Sequence, residues 1–291
     1  MRQIYTILPA FLFLAASVFG QTGMNTRLLD EISFYADVMV NASADDHRAR
    51  GHNQLGIAMD SLLAQPDSYS VTLDSIKGLS VLHGDQFRLV TWQWRVNKEE
   101  FKYDGFIQWP DRLTRLKDTR PFVNGSAFNT YSANLWYGCL YYDMIPFEKD
   151  GKKYYVLLGF NGDNNQTNIK LADVLDLNGP EVKLGVPVFV GKGEPMSRIM
   201  VTYADVSTVH IRYDAGVGGI IYDHVENLPG VGPNGESMPV SDGSLEGWIL
   251  KDGNWLYQEE VYDVQMETPP MTDDRKERKE DKDILGRPKK E

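Results

Sequence analysis

Two histidines and an aspartate in the second half of the chain are the side chains best suited to act together in chemistry. His210 lies in one predicted strand, and Asp223 and His224 end the next. Two imidazoles and a carboxylate on neighbouring strands could bind zinc or transfer protons. Strand alternation, however, places His210 beside the cation Arg212 and sends Asp223 and His224 to opposite faces. We therefore expect histidines held by local hydrogen bonds, with no metal and no cofactor, and assign no catalytic residue.

A polar loop over 161–167 offers oxygen atoms at alternate positions, as a calcium-binding loop does. The calcium pattern requires glycine at its sixth position and glutamate at its twelfth, where this chain has Gln166 and Ala172. We interpret the loop as a polar turn that joins a strand to a helix, because Asn and Asp tolerate left-handed backbone.

Two glycine-containing segments resemble catalytic motifs but have the wrong spacing. Segment 243–247 does not place one residue between its serine and each glycine, as a hydrolase nucleophile elbow requires. Segment 185–192 has five residues between its glycines instead of four, and Gly193 follows where a phosphate loop needs Ser or Thr. Both segments are predicted to be strands and turns.

Several tryptophans raise the question of a platform on which sugar rings could stack. The candidates are Trp92, Trp94, Trp109 and Trp136. Trp92 and Trp94 share a strand face with Val90 and Val96, so we expect them in the core. Exposed rings would favour glycan binding.

Helical periodicity dominates residues 24–65, which are predicted to form a helical hairpin. Apolar residues recur at helical spacing over 28–39 and, less regularly, over 55–63. Asp45 is expected to cap the second helix, and Pro66 marks its end. The polar residues of that helix are expected to form its solvent-facing side: His47, Arg48, Arg50 and His52.

The period changes to two from about residue 70, and residues 70–266 are predicted to be β-rich. Residues 89–96 describe a strand with one buried face and one mostly polar face. Segments 135–145 and 154–160 are apolar on both faces, which predicts central strands that pair antiparallel through a turn at Asp150 and Gly151. Segment 167–177 is predicted as a short helix or turn.

Further strands are predicted over the remainder of this region, at 182–190, 198–203, 209–213, 219–224 and a hairpin over 248–261 that turns at Asp252 and Gly253. The predicted fold class is α+β, an N-terminal helical hairpin followed by a predominantly antiparallel β-meander. Sequence spacing leaves open whether the strands form a sandwich or a barrel.

The N-terminus is typical of a secretory signal peptide over residues 1–20: Arg2 precedes an apolar run from Ile4 to Phe19. Cleavage is expected before Gln21, leaving a single α+β domain over 21–266 and a disordered, charged tail over 267–291. No later apolar run reaches the roughly 20 residues of a membrane span. We therefore expect a soluble periplasmic or secreted protein.

The composition excludes some partners and crosslinks. The formal net charge of −11 disfavours binding to nucleic acid. The single cysteine, Cys139, cannot form a disulfide within the chain, and its apolar neighbours predict a buried, unreactive thiol.

The stretch 135–229 resembles a group of exported proteins from the Bacteroidota to which no activity is assigned. The resemblance is carried by LWYGCLYYDMIPFEKDGKKYYVLLGFNGDNNQTN, KLADVL, GVPVFVGKG, MVTYADVSTVHIRYD and IIYDHVENLPG, with weaker similarity in DQFRLVTWQW, YDGFIQW, SDGSLEGW and GNW. It implies an exported, β-rich unit and transfers no catalytic residue.

These observations favour a non-catalytic accessory or interaction protein of the bacterial envelope, with another envelope protein as its expected partner. The alternatives are a periplasmic hydrolase and a glycan-binding protein. A deep pocket that contains Asp223 or His224 together with a second ionisable group would favour the hydrolase.

Overall fold

The computed structural model describes residues 10–119 and 126–262, and their side chains from Met24 onward. The predicted tail over 267–291 and the start of the predicted signal peptide lie outside these residues. Two helices, α1 (Ala10–Asn41) and α2 (Asp45–Leu63), form the expected hairpin. Within the described residues, neither helix is both long and apolar enough to cross a membrane.

The strands that follow the helices belong to the same unit, Met1–Val261. They are β1 (Ser80–His83), β2 (Arg88–Arg95), β3 (Phe101–Gln108), β4 (Leu113–Lys117), β5 (Tyr131–Ser132), β6 (Leu140–Lys149), β7 (Lys152–Asn161), β8 (Thr167–Asp176), β9 (Lys183–Leu184), β10 (Phe189–Val190), β11 (Arg198–Ala204), β12 (Ile211–Asp214), β13 (Gly219–Leu228), β14 (Met238–Lys251) and β15 (Asn254–Gln258).

The strands form three sheets, which we call the first, middle and last sheets. The first has the order β1-β2-β3-β4, the middle β5-β9-β8-β7-β6 with β11 also paired to β8, and the last β10-β15-β14-β13-β12. Pairing is antiparallel except between β10 and β15, which lie parallel. None of these sheets closes on itself over the described residues, so the fold is α+β with stacked open sheets and is not a barrel.

Three hydrophobic layers hold the unit together. The helices bury Ile32 and Leu55 against Val90 and Phe106 of the first sheet. A second layer lies between the first and middle sheets, and a third between the middle and last sheets. The middle sheet is therefore covered on both faces.

The turn at Asp150 and Gly151 joins β6 to β7 as predicted, with positive φ at both residues. The prediction of a central position holds for β7, which lies between β6 and β8, but is wrong for β6, which is an edge strand. A bulge between Tyr141 and Asp143 interrupts β6.

The predicted helix over 167–177 is wrong, because this segment is strand β8. Both faces of β8 are buried in the middle sheet, so its apolar residues follow one another without the alternation that marks a half-exposed strand. The strand predicted over 89–96 was also expected to have one mostly polar face, and this is wrong for the first part of β2. There Leu89 and Thr91 are buried on the side that faces the middle sheet.

Two expectations for α2 are corrected. The residue before the helix is Ala44, whose side chain makes no capping hydrogen bond, and Asp45 instead forms an ion pair with Arg48. Arg48 does not face solvent: it is buried and donates hydrogen bonds to the carbonyl oxygens of Arg95, Ala42 and Ser43. Its guanidinium thus joins the helical hairpin to the end of β2.

An ionic network crosses the layer between the first and middle sheets. Arg198 Nη2 lies 2.8 Å from Asp173 Oδ1, and neither side chain is exposed. Tyr141 donates to Asp173 Oδ2 at 2.8 Å and accepts from the indole of Trp136 at 3.2 Å. Burial alone would lower the pKa of Arg198, but the ion pair with Asp173 raises it, so the guanidinium stays charged.

Candidate functional site

An open groove of about 870 Å³ lies between α2 and the strands β2 to β4, and we call it the α2 groove. Helix α2 presents His52, Gly56 and Asp60 to it, because residues four apart share a helix face. Asn53 and Ile57 of α2 also line the groove. The remaining described lining lies on or next to strands β2 to β4: Trp92, Trp94, Glu100, Lys102, Tyr103, Asp104, Gly105, Arg115, Leu116, Lys117 and Asp118.

Polar contacts tie α2 to the sheet across this groove. His52 Nε2 lies 2.5 Å from Asp104 Oδ2, and its ring stacks on Trp94 with centroids 4.5 Å apart and planes 16° apart. Arg115 on β4 pairs with Asp60 on α2. The prediction that His52 belongs to a solvent-facing surface is therefore wrong, since its ring is enclosed between helix and sheet.

The tryptophans do not form an exposed platform. Trp92 is 3% exposed, as expected for a core residue, and Trp136 is fully buried. Trp94 is half-buried beneath His52, and Arg112 covers the ring of Trp109 at 3.8 Å. The indole nitrogens of Trp92 and Trp94 are buried at the groove without a hydrogen-bond partner.

The structure gives His210 and His224, which the sequence analysis considered together, different partners. His210 is exposed, and both its backbone N–H, at 2.5 Å, and its Nδ1, at 3.1 Å, contact Asp223 Oδ2. His224 points to the other face of β13 and contacts neither residue through its ring nitrogens. Among the described residues, no group of three or more His, Cys, Asp or Glu side chains is arranged to hold a metal ion.

His224 instead lies in a cleft of about 290 Å³, which we call the His224 cleft. Its Nδ1 is 2.8 Å from Asp242 Oδ2, and its Nε2 is 3.3 Å from Glu246 Oε1. Tyr222 donates to Glu246 Oε2 at 2.7 Å, and the Trp248 indole donates to Tyr222 at 3.3 Å. Alternation on β13 and β14 places these groups on one face.

The contacts of this cluster perturb its pKa values. The hydrogen bond to Asp242 raises the pKa of His224. The pKa of Asp242 falls to about 2, because its carboxylate accepts from the backbone and hydroxyl of Ser244 and then from His224. Burial, followed by the hydrogen bond to Glu246, raises the pKa of Tyr222. His224 is therefore favoured as a cation between two carboxylates.

Sequence reasoning missed Glu246, Asp242 and Tyr222. The signal that could have found them is register: Tyr222 lies directly opposite Glu246 in the antiparallel pair β13–β14. That register depends on a bulge after Asp223, which spacing along the sequence does not reveal.

The remaining sequence candidates have structural roles. The loop over 161–167 is a turn between β7 and β8, not between a strand and a helix, and Asn161 and Asn164 accept hydrogen bonds from backbone N–H groups within it. Cys139 is fully buried, and burial raises the pKa of its thiol. Segment 243–247 lies in β14.

Comparison of the chain with protein-family models, with curated proteins and with solved structures gave no match in any of the three.

Proposed function

We propose that the protein is an exported, non-catalytic interaction protein of the bacterial envelope, and that the α2 groove binds its partner. The observation that carries the proposal is the groove itself, a preformed concavity whose helix wall and sheet wall are held together by His52–Asp104 and Arg115–Asp60. Binding sites are concave and largely preformed, with a few polar groups that fix orientation.

The chemistry of the groove fits recognition better than catalysis. Its described lining contains carboxylates, cations and aromatic rings but no serine, threonine or cysteine nucleophile. The unpaired indole N–H groups of Trp92 and Trp94 incur a desolvation cost that an acceptor on a partner would relieve. A polypeptide surface that carries both charge signs and carbonyl oxygens meets these requirements.

A photo-crosslinking amino acid at Ile57 in the native cell tests this proposal. Ile57 lines the groove and is 60% exposed, while Val206 lies outside it and is 79% exposed, which makes it a matched control. We expect one stoichiometric crosslinked envelope protein from position 57 and none from 206. Equal labelling from both positions, or none from either, would contradict the proposal.

A second pair of variants ties that crosslink to the groove. Gly56 lines the groove, and a Cβ there would meet no atom within 4 Å. Gly56→Ala should therefore preserve the crosslink, whereas Gly56→Phe should fill the groove and remove it. Circular dichroism of both variants checks that the fold is retained.

A periplasmic hydrolase is the second candidate, because the His224 cleft contains His224 with a second ionisable group, Glu246. A positioned carboxylate and imidazolium can serve as general base and general acid. Esterase, peptidase and glycosidase substrate panels with the wild-type protein and with Glu246→Gln test this candidate. Turnover that the variant abolishes would replace the non-catalytic proposal.

A further inference from the structure

Over the described residues, one edge of strand β11 has no strand paired to it. All seven of its residues pair with β8, and over the described residues β11 pairs with no other strand. The first residue of β11, Arg198, already donates its backbone N–H to Ala127 O, and just beyond the strand Asp205 N donates to Gln166 O. Residues 198–202 line the His224 cleft, so the cleft borders this part of β11.

Four other edges of the sheets are protected in ways that β11 is not. Strand β4 carries Arg115 and Lys117, β6 carries Pro146 and a bulge, and β12 carries Arg212. The β1 edge packs beside β6, where Ser80 donates to Tyr141 O. The central residues 199–203 of β11 contain no charge and no proline. Natural proteins block exposed edges with such residues unless the edge is used for pairing.

The wall opposite this edge is acidic. Glu246 and Asp242 flank His224, and Glu226 lies near enough to raise the pKa of His224. Arg198 does not offset these charges, because its guanidinium is paired with Asp173 on the other face of the middle sheet. Carboxylates therefore outnumber free cations around the cleft.

We propose that the β11 edge and the His224 cleft form a docking site for an extended polypeptide segment of a partner protein. The segment adds as a strand to β11 and directs a lysine or arginine side chain to Glu246. Main-chain hydrogen bonds supply affinity in this mode of recognition, and the pocket for alternate side chains supplies specificity. The six residues after Arg198 offer an edge of about 20 Å.

Charge argues against a second copy of the chain as the occupant. Pairing of two β11 edges would bring two acidic clefts together, and like charges in contact are unfavourable. This site is separate from the α2 groove, so failure of either proposal leaves the other standing.

Binding of synthetic peptides to the full-length protein, measured by fluorescence anisotropy, tests the inference. The probe is a peptide of about eight residues that alternates valine and lysine, long enough to span the edge. One control replaces lysine with glutamate, and another carries N-methyl groups on alternate amides, which blocks strand pairing. We expect the lysine peptide to bind about ten-fold or more tightly than either control.

Protein variants locate the site of binding. Glu246→Gln keeps an acceptor for Tyr222 and should weaken binding of the lysine peptide about ten-fold, while Glu181→Gln, at an exposed position outside both sites, should not change its affinity. Thr202→Lys places a cation on the exposed edge and should also prevent binding.

Four outcomes would overturn the inference: no binding by the folded wild type, equal binding of the N-methylated peptide, no effect of Glu246→Gln, or a dimer that Thr202→Lys dissociates. A chain truncated after residue 266 that binds the peptide more tightly would assign the edge to residues 267–291 and would overturn it as well.

Discussion

The two faces of the middle sheet are both buried, but they are built from different chemistry. Toward the first sheet, Asp173 and Arg198 form an ion pair within a hydrogen-bonded network. Toward the last sheet, the layer contains aliphatic and aromatic side chains such as Leu158 and Trp255. Strand β8 contributes to both, since Asp173 stands between Ala172 and Val174.

The difference shows how burial and register are specified separately. An apolar layer stabilises the stacked sheets because it removes apolar surface from water, but it tolerates several packing arrangements of its side chains. A slip of β8 by one residue would turn Asp173 into the apolar layer and leave Arg198 unpaired. We infer that the ion pair fixes the register of β8 against β11, and the following changes test that division.

The largest effect is expected for Asp173→Ala. This change leaves the Arg198 guanidinium buried without its counter-charge and should lower the free energy of unfolding by about 3–5 kcal/mol. Urea unfolding followed by tryptophan fluorescence measures it.

The double variant Asp173→Leu/Arg198→Met should lose much less free energy of unfolding than Asp173→Ala. Replacing both members of a buried ion pair by apolar residues is often close to neutral. If the double variant is as unstable as Asp173→Ala, the cost does not come from an unpaired charge.

On the apolar face, Leu158→Ala should cost about 2–5 kcal/mol, because Leu158 is fully buried and the change leaves a cavity. Hydrogen exchange should show that β8 and β11 keep their pairing in this variant, whereas Asp173→Ala should weaken protection along β11. Equal loss of protection in both variants would contradict the division between the faces.

A smaller effect is expected for Tyr141→Phe, which removes the hydroxyl that donates to Asp173 and accepts from Trp136. The free energy of unfolding should fall by about 1–3 kcal/mol, because the buried Asp173 carboxylate and the buried Trp136 indole N–H each lose one hydrogen-bond partner. Tyr142→Phe is the matched control, because the Tyr142 hydroxyl donates to Ile211 O outside this network.

The smallest effect is the pH dependence of the His224 cleft. The pKa of folded His224 is raised from its ordinary value of 6.5, so its contribution is fully present below pH 6.5 and is lost as the pH rises through the folded pKa. Partial exposure limits the contribution to under about 1 kcal/mol.

His224→Gln should remove this part of the pH dependence above about pH 6.5 and leave the rest of the profile unchanged. Unfolding midpoints measured in parallel for wild type and variant reveal the difference. A steeper loss of stability in the variant would contradict the assignment.

The helical hairpin and most strands could be predicted from sequence, because their apolar periodicity matches the faces that they bury. The failures occur where tertiary burial removes the pattern. Strand β8 is buried on both faces, and its apolar run does not distinguish a strand from a helix. The sequence predicts Arg48 to be a surface cation. It is buried instead, because the fold brings the carbonyl oxygens of Arg95 and Ala42 within hydrogen-bonding distance of its guanidinium.

The candidate sites were less accessible to prediction than the fold. The α2 groove depends on the packing of a helix on a sheet, and His52 meets Asp104 across 52 positions of sequence. In the His224 cleft, the sequence singled out His224 but did not indicate its partners Asp242 and Glu246, because the bulge after Asp223 sets which side chains stand opposite.

The parallel pair of β10 and β15 has a consequence for the order in which the chain can fold. Phe189 lies opposite Trp255, so the last sheet gains its β10 edge only when residues near the end of the unit are present. Long-range contacts of this kind slow folding, because loop closure must precede them. A chain that emerges N-terminus first can therefore complete the β10 edge of this sheet only after β15 has emerged.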